Sequence, residues 1–287
     1  CHQVVGTHVL HYDAPDAADA PAGLGDWCDV GPAPYGPSQL TPIPLTATAL
    51  YYHDLAILAR AAALLGKDRD ALELAAQAND VREAFNRTFF KTDTNQYATG
   101  SQASNAMPLA LGLVEPERAG AVVENLVADV RAHGNHQTAG DVGHRFLLLA
   151  LARAGRSDVV FDMTSRTDPP SYGFQVERGA TTLTEAWDPR RGYSQNHFML
   201  GHVEEWFYGA LAGIVPVKPG YGEFRVEPHF AGGMSACSAS VMTVRGRVSS
   251  KWVKSAGEFD LNVSVPVNSF ATVALPKWNG MMVREGG

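Results

Sequence analysis

Apolar residues recur at helical spacing through most of the chain and give way to strict alternation near its end. Residues 43–65 (IPLTATALYYHDLAILARAAALL) predict a long helix that stops at Gly66, a residue suited to the left-handed C-terminal cap. Residues 68–90 predict a second helix, opened by Asp68 as its N-cap and ending in the aromatic FNRTFF segment. Further helices are predicted at 102–112, 116–133, 141–154, 157–164 and 195–212, joined by short links rich in Gly and Pro. Paired helices without intervening strands predict a helical bundle or an α/α-toroid. Residues 1–41 show no sustained period and are expected to be irregular.

After Pro216 the pattern changes. FRVEP, SASVMTVRGRVSSKWV, FDLNVSVPV and ATVALP alternate apolar and polar residues, are rich in Val, Thr and Ser, and are separated by Gly and Pro. That is the signature of a small antiparallel β-sandwich. The predicted order is a helical domain over 1–216 and a β-sandwich over 217–287, with KPGYG as the turn between them.

Composition narrows the partners. The 287 residues are 45% hydrophobic and 18% charged, which suits a globular protein with a large core. A formal net charge of −7 and the lack of any basic run longer than two residues argue against a phosphate-backbone binder, so no nucleic-acid partner is expected. No apolar stretch approaches the ~20 residues of a membrane span, so no membrane partner is expected. Cys1, Cys28 and Cys237 form neither a zinc spacing nor a disulfide framework, and no metal or cofactor is expected. The start, CHQVVGTHVLHYD, has no initiator Met and no secretory pattern, and is expected to lie within a longer protein.

Four segments place polar, aromatic and Gly residues where a helical core does not need them. In Gly25-Asp26-Trp27 the indole offers a stacking face for a sugar and the carboxylate an acceptor for its hydroxyls; a loop Trp anchored in the core is the bland alternative. The segment GFQVERGATTLTEAWD holds Glu185 and Trp187 among Thr and Gly residues. Glycoside hydrolysis needs two carboxyl groups, spaced ~6.5–9.5 Å apart in inverting enzymes so that a water fits, and Glu185 could be one of them or a simple capping residue. Asn196 and His197 precede a predicted helix and could either meet a sugar hydroxyl or cap that helix. Asp141, His144 and Arg145 in TAGDVGHRF also cluster at a helix start, where Asp suits the macrodipole and His with Arg could meet an acidic group.

In order, these segments resemble the α-L-rhamnosidases of glycoside hydrolase family 78. The resemblance covers roughly residues 24–278 and rests on Gly25-Asp26-Trp27, Thr46-Ala47-Thr48-Ala49, Leu64-Leu65-Gly66-Lys67, Ser101-Gln102 and Thr138-Ala139-Gly140. It continues through Pro170-Ser171-Tyr172-Gly173, Gly179-Ala180-Thr181-Thr182, Glu185-Ala186-Trp187-Asp188, Asn196-His197 and Glu205-Trp206. The resemblance implies an (α/α)6-barrel, incomplete at its N-terminus here, followed by an antiparallel β-sandwich. It implies a rhamnose-containing carbohydrate as partner, Glu185 as the general base, Trp27 lining the sugar pocket, His197 at the sugar, and no metal in the chemical step.

The sequence departs from the family pattern twice. The family's general acid, a Glu in an Arg-Asp-Glu-Arg-like segment upstream of GDW, has no counterpart in residues 1–24; Asp26, Asp29 and Asp141 are the remaining candidates. TAGDVGHR stands where typical members have a Gly-Phe-x-Gly-Thr pattern, which keeps in play the rhamnosyl-glucuronate lyases that share the scaffold. A catalytically inactive carbohydrate-binding fragment is the reading from another class. Little turnover is expected from these residues alone, and exposed helix faces are expected to favour homo-oligomers.

Overall fold

The computed structural model describes residues 2–3, 10–11, 23–188, 193–275 and 282–284. Cys1, residues 4–9 and 12–22 of the expected irregular N-terminus, and Pro276 at the end of the ATVALP segment lie outside the described residues. The chain divides into two compact units, Cys1–His202 and Val203–Gly287. Residues 203–216, assigned to the helical domain in the sequence, fall in the second of these units.

In the first unit β1 (His2–Gln3) pairs antiparallel with β2 (Leu10–His11). The helix α1 (Ile43–Leu64) starts at Pro42 and Pro44, whose fixed φ suits a first turn, and ends before Gly66 at φ +67°. Its partner α2 (Asp68–Phe89) has Lys67 as N-cap, so Asp68 lies inside the first turn and faces the helix dipole instead of capping it. Leu55 of α1 packs with Ala78 and Val81 of α2, with Tyr51, Tyr52 and Leu74 around them. Ile57, Leu58 and Leu64 on α1 stay exposed, because this helix is apolar on more than one face.

A short hairpin, β3 (Phe90–Lys91) with β4 (Gln96–Tyr97), leads to α3 (Gln102–Leu111), capped by the Ser101 hydroxyl accepting from the Ser104 N–H. Then come α4 (Pro116–Ala132), α5 (Gly143–Arg153) and α6 (Ser157–Thr164). Leu126, Val130, Leu147, Leu151, Val159 and Val160 supply fully buried side chains from these three helices. One element is new: α7 (Tyr172–Glu177), capped by Ser171 within a segment whose prolines and glycines read as loop.

The single helix expected over 195–212 is not present. A 3-10 turn covers Met199–His202, α8 covers Val203–Trp206, and a π-helical turn covers Phe207–Leu211. Gly201 and Gly209 weaken the helix locally, and Ala212 N–H reaches back to the Phe207 carbonyl in the wider π spacing.

Among the described residues the second unit holds two three-stranded sheets. One orders β5 (Ile214–Pro216), β6 (Glu223–Val226) and β10 (Phe270–Val273) with β6 in the middle; the other is the meander β7 (Ala236–Thr243), β8 (Gly246–Ser255) and β9 (Glu258–Ser264). The pairing of β10 with β6 is parallel, with Phe270 opposite Glu223, whereas alternation had predicted antiparallel strands throughout. Phe224 and Val226 from one sheet and Val248 from the other form the inner core, with Cys237, Val241, Leu261 and Val263 beside them. Trp252 is fully buried and its indole N–H donates to the Leu211 carbonyl at 2.7 Å.

Trp252→Phe keeps most of the buried ring but leaves the Leu211 carbonyl without its donor. A loss of about 1–3 kcal/mol is expected, read as a lower urea midpoint with unchanged slope.

Candidate active site

The site is built from three stretches of the first unit: the loop around Trp27, the segment entering α5, and the segments around Glu185 and His197. Asp26 joins the first two. It is fully buried, and its carboxylate accepts from the Gly140 N–H at 2.9 Å and the Gly143 N–H at 2.6 Å. Asp141 N–H donates to the Trp27 carbonyl at 2.7 Å and Val30 N–H to the Thr138 carbonyl at 2.9 Å, so the loop and the entry to α5 run side by side. This closeness demands glycine: a Cβ on Gly140 would stand 2.1 Å from the Trp27 carbonyl oxygen, and one on Gly143 would stand 2.6 Å from Asp26 Oδ2. Asp29, also buried, accepts from the Gln39 and Leu40 N–H groups and the Ser38 hydroxyl and closes the loop on itself.

Trp27, thus anchored, donates its indole N–H to Glu185 Oε1 at 2.9 Å. The other carboxylate oxygen, Oε2, accepts from the Ser194 N–H at 3.1 Å. The Glu185 N–H in turn donates to the Ser194 carbonyl, and the His197 N–H donates to the Leu183 carbonyl, both at 2.9 Å. The two segments therefore hold each other as an antiparallel pair, with Glu185 half-buried at the pair. Tyr193 Oη donates to the Tyr35 carbonyl at 2.6 Å, and its ring meets that of Tyr35 edge-on, tying this pair to the Trp27 loop.

The charges near Trp27 are unequal by construction. The Ser194 N–H, the Trp27 indole and the nearby His197 hold the Glu185 carboxyl below the usual glutamate range. Burial, with the charges of Glu185 and Asp26, pushes Asp141 up to about 7. Burial likewise pushes Asp26 up to about 7, against the pull of Gly140 and Gly143. Cys28 is a buried thiol pushed up to about 12 and therefore no nucleophile at neutral pH. Among the described residues no group of three or more His, Cys, Asp or Glu side chains is placed to hold a metal ion. No helix among them is long and apolar enough to cross a membrane.

The residues picked out in the sequence separate into two layers. Trp27, Asp141, Glu185 and His197 come together, with the exposed Asn196 beside His197. Asp26, Trp187 and His144 lie beneath and face inward. Asp26 has spent both oxygens on backbone N–H groups, so it positions the loop and does not meet a sugar. Trp187 is 1% exposed, donates to the Ala139 carbonyl, and packs edge-on against His144 and Tyr172. His144 is 1% exposed, lies 2.8 Å from the Tyr172 hydroxyl, and is pushed by burial down to about 3, so it is a neutral core histidine unable to meet an anion. Arg145 is half-buried on the next position of α5. The Ser194 N–H, Tyr35 and Tyr193 carry no distinctive sequence signal beyond an aromatic in a Gly- and Pro-rich loop, whereas Tyr172 lies in one of the segments that carry the resemblance.

A helical-hairpin domain followed by a β-sandwich, with an ionised carboxylate clamped by an indole N–H among acid, imidazole and aromatic groups, defines a carbohydrate-active enzyme scaffold. The family models agree: residues 6–211 match the bacterial α-L-rhamnosidase 6 hairpin glycosidase domain, and residues 213–286 match the bacterial α-L-rhamnosidase C-terminal domain. The chain belongs to the bacterial α-L-rhamnosidase family of glycoside hydrolases.

An α-L-rhamnosidase of Streptomyces avermitilis is 32% identical over 88% of this chain and 25% of its own length. One from Formosa agariphila is 28% identical over 89% of this chain and 29% of its own. Among solved structures, the α-L-rhamnosidase of Dictyoglumus thermophilum superposes with a TM-score of 0.85 at 33% identity, over 93% of this chain and 31% of that one. The Streptomyces avermitilis enzyme, solved in complex with L-rhamnose, gives 0.84 at 29% identity, over 94% of this chain and 25% of that one. The chain thus spans about a quarter to a third of the length of these relatives.

The burial of His144 sets a pH dependence. Unfolded, it takes a proton near 6.5; folded, only near 3. Between those values the unfolded state binds the extra proton, so this residue's contribution to stability is complete above 6.5 and falls as pH drops, by at most about 1.4 kcal/mol per pH unit. Urea midpoints at pH 7 and pH 4.5 should differ less in His144→Gln than in the wild type. Equal differences in the two proteins would show that His144 is not held neutral.

Proposed function

We propose that this chain carries the base half of an inverting α-L-rhamnosidase, in which Glu185 deprotonates the water that attacks the anomeric carbon of a terminal α-L-rhamnosyl residue. The observation that carries this reading is the clamp on Glu185. A general base must be ionised at the working pH, fixed in direction, and open enough to reach a water. One donor on each oxygen, from Trp27 and from Ser194, supports the first two conditions, and the half-exposed position supports the third. Trp27, partly exposed beside it, offers an indole face to the sugar ring, and His197 acts on the same carboxylate. L-rhamnose bound to the Streptomyces avermitilis relative supports the choice of sugar.

The reaction needs a second carboxyl to protonate the leaving oxygen. Asp26 and Asp29 are committed to backbone N–H groups. That withdraws two of the three acid candidates in the sequence and leaves Asp141, whose carboxyl burial pushes up to about 7. The lyase alternative relied on His144 and Arg145 meeting a uronate carboxylate. A neutral, buried His144 withdraws half of that support.

In the full-length enzyme, Glu185→Gln should lower kcat on an aryl α-L-rhamnoside by at least about 100-fold, with a smaller change in KM. Proton NMR of the first product should show the β-anomer. Activity within a few fold of wild type would remove Glu185 from the base role, and an ultraviolet-absorbing unsaturated uronate would turn the assignment to a lyase. Trp27→Phe tests the clamp. It removes a donor that favours the ionised form, so the acid limb of the pH profile of kcat/KM should move to higher pH. An unmoved limb would mean that the indole does not set the ionisation of the base.

A further inference from the structure

The donor to Glu185 Oε2 is a backbone group, so its direction depends on whatever holds the chain at Ser194. The Tyr193 carbonyl and the Ser194 N–H are the two ends of one planar peptide unit, and fixing one end fixes the other. Gln195 Nε2 donates to the Tyr193 carbonyl at 3.1 Å, while the Ser194 N–H donates to Glu185 Oε2 at 3.1 Å. A peptide unit with a donor on its carbonyl is polarised, which strengthens the bond its N–H makes. Of the groups that hold the Glu185 carboxyl below the usual glutamate range, the Ser194 N–H contributes most, ahead of the Trp27 indole.

After that peptide unit, the chain is held by the base segment itself, through the Glu185 N–H on the Ser194 carbonyl at 2.9 Å. Before it, the chain is held by the Tyr193 phenol. The hydroxyl donates to the Tyr35 carbonyl at 2.6 Å, and the ring meets that of Tyr35 edge-on, with centroids 5.9 Å apart. Tyr35 stands on the loop that carries Trp27, where the Cys28 N–H closes onto the Gly36 carbonyl at 2.8 Å. Both donors to Glu185 therefore trace to one loop, the indole directly and the Ser194 N–H through Tyr193.

The anchor matters because Ser194 is exposed. If the peptide unit turns, water takes its N–H, and the ionised carboxyl loses a donor fixed in direction. A tyrosine restrains the backbone at small entropic cost, having only two side-chain torsions to order.

We propose that Tyr193 is a positioning residue for the base: anchored on the Tyr35 carbonyl, it holds the Tyr193–Ser194 peptide unit with its N–H on Glu185 Oε2. This rests on the reading of Glu185 as general base and adds to it the side chain that sets the backbone half of the clamp.

The test is a cycle in the full-length enzyme. Wild type, Tyr193→Phe, Trp27→Phe and the double variant are compared by the acid limb of kcat/KM on an aryl α-L-rhamnoside, with thermal melting as the check on folding. Tyr193→Phe keeps the ring and loses the anchor. Its limb should move to higher pH by at least about 0.5 unit, the scale on which one donor acts on a carboxylate. A similar step should recur when Tyr193→Phe is added to Trp27→Phe, because the two donors serve different oxygens. His197, Asp141 and Cys28, which interact with the charge of Glu185, are retained in all four proteins.

A fall in kcat with an unmoved limb would make Tyr193 a structural residue only and overturn the assignment. So would a step that vanishes in the Trp27→Phe background, since Tyr193 would then act through the indole. Failure of the base reading shows separately, as Glu185→Gln retaining activity within a few fold of wild type. The anchor is then judged without turnover, from the carboxyl carbon resonance of Glu185 in enzyme labelled with 13C at glutamate Cδ, assigned by its loss in Glu185→Gln. A titration midpoint at least about 0.5 pH unit higher in Tyr193→Phe supports the anchor, and a smaller change overturns it.

Discussion

The carboxylate of Asp26, buried and bound by the N–H groups of Gly140 and Gly143, is the constraint on which the site rests. A charge-accepting group in that position can be tolerated only if backbone donors converge on it. Their convergence brings an irregular loop, far away in sequence, against the start of α5. Once the loop is fixed, Trp27 has one place to put its indole, and Glu185 has its donor. The glycines are required for the same reason, since any side chain at Gly140 would collide with the loop backbone.

The second consequence is electrical. Three acids near Trp27 are driven apart: Glu185 downward by donors, Asp26 and Asp141 upward by burial. One ionised carboxylate beside acids that hold their protons more tightly is what the base role proposed for Glu185 requires. His197 strengthens this difference, because its charge favours the ionised form of Glu185.

Much of the scaffold was legible because local pattern sets it. The Gly66 stop of α1, the Ser101 start of α3 and the switch to alternation after Pro216 each follow from a few neighbouring residues. The parallel partner of β10 was not legible, since pairing Phe270 with Glu223 is a long-range choice that alternation leaves open. Nor was the broken helix near Gly201, where glycines interrupt an apolar period without erasing it. At the candidate site, the segments picked out in the sequence come together, but the sequence could not say which side chains point inward. Trp187 and His144 look like binding residues by type and are core by orientation, while Asp26 and Trp27, adjacent in sequence, have opposite fates. The Ser194 N–H was beyond reach, because a backbone donor leaves no mark in the residue type.

The central claim is that Glu185 acts by activating a nucleophile on the face opposite the leaving group. Chemical rescue addresses that most directly. Full-length enzyme carrying Glu185→Ala, supplied with azide and an activated aryl α-L-rhamnoside, should regain turnover and yield β-L-rhamnosyl azide, since azide needs no base. No rescue, or an azide product of α configuration, would contradict the assignment.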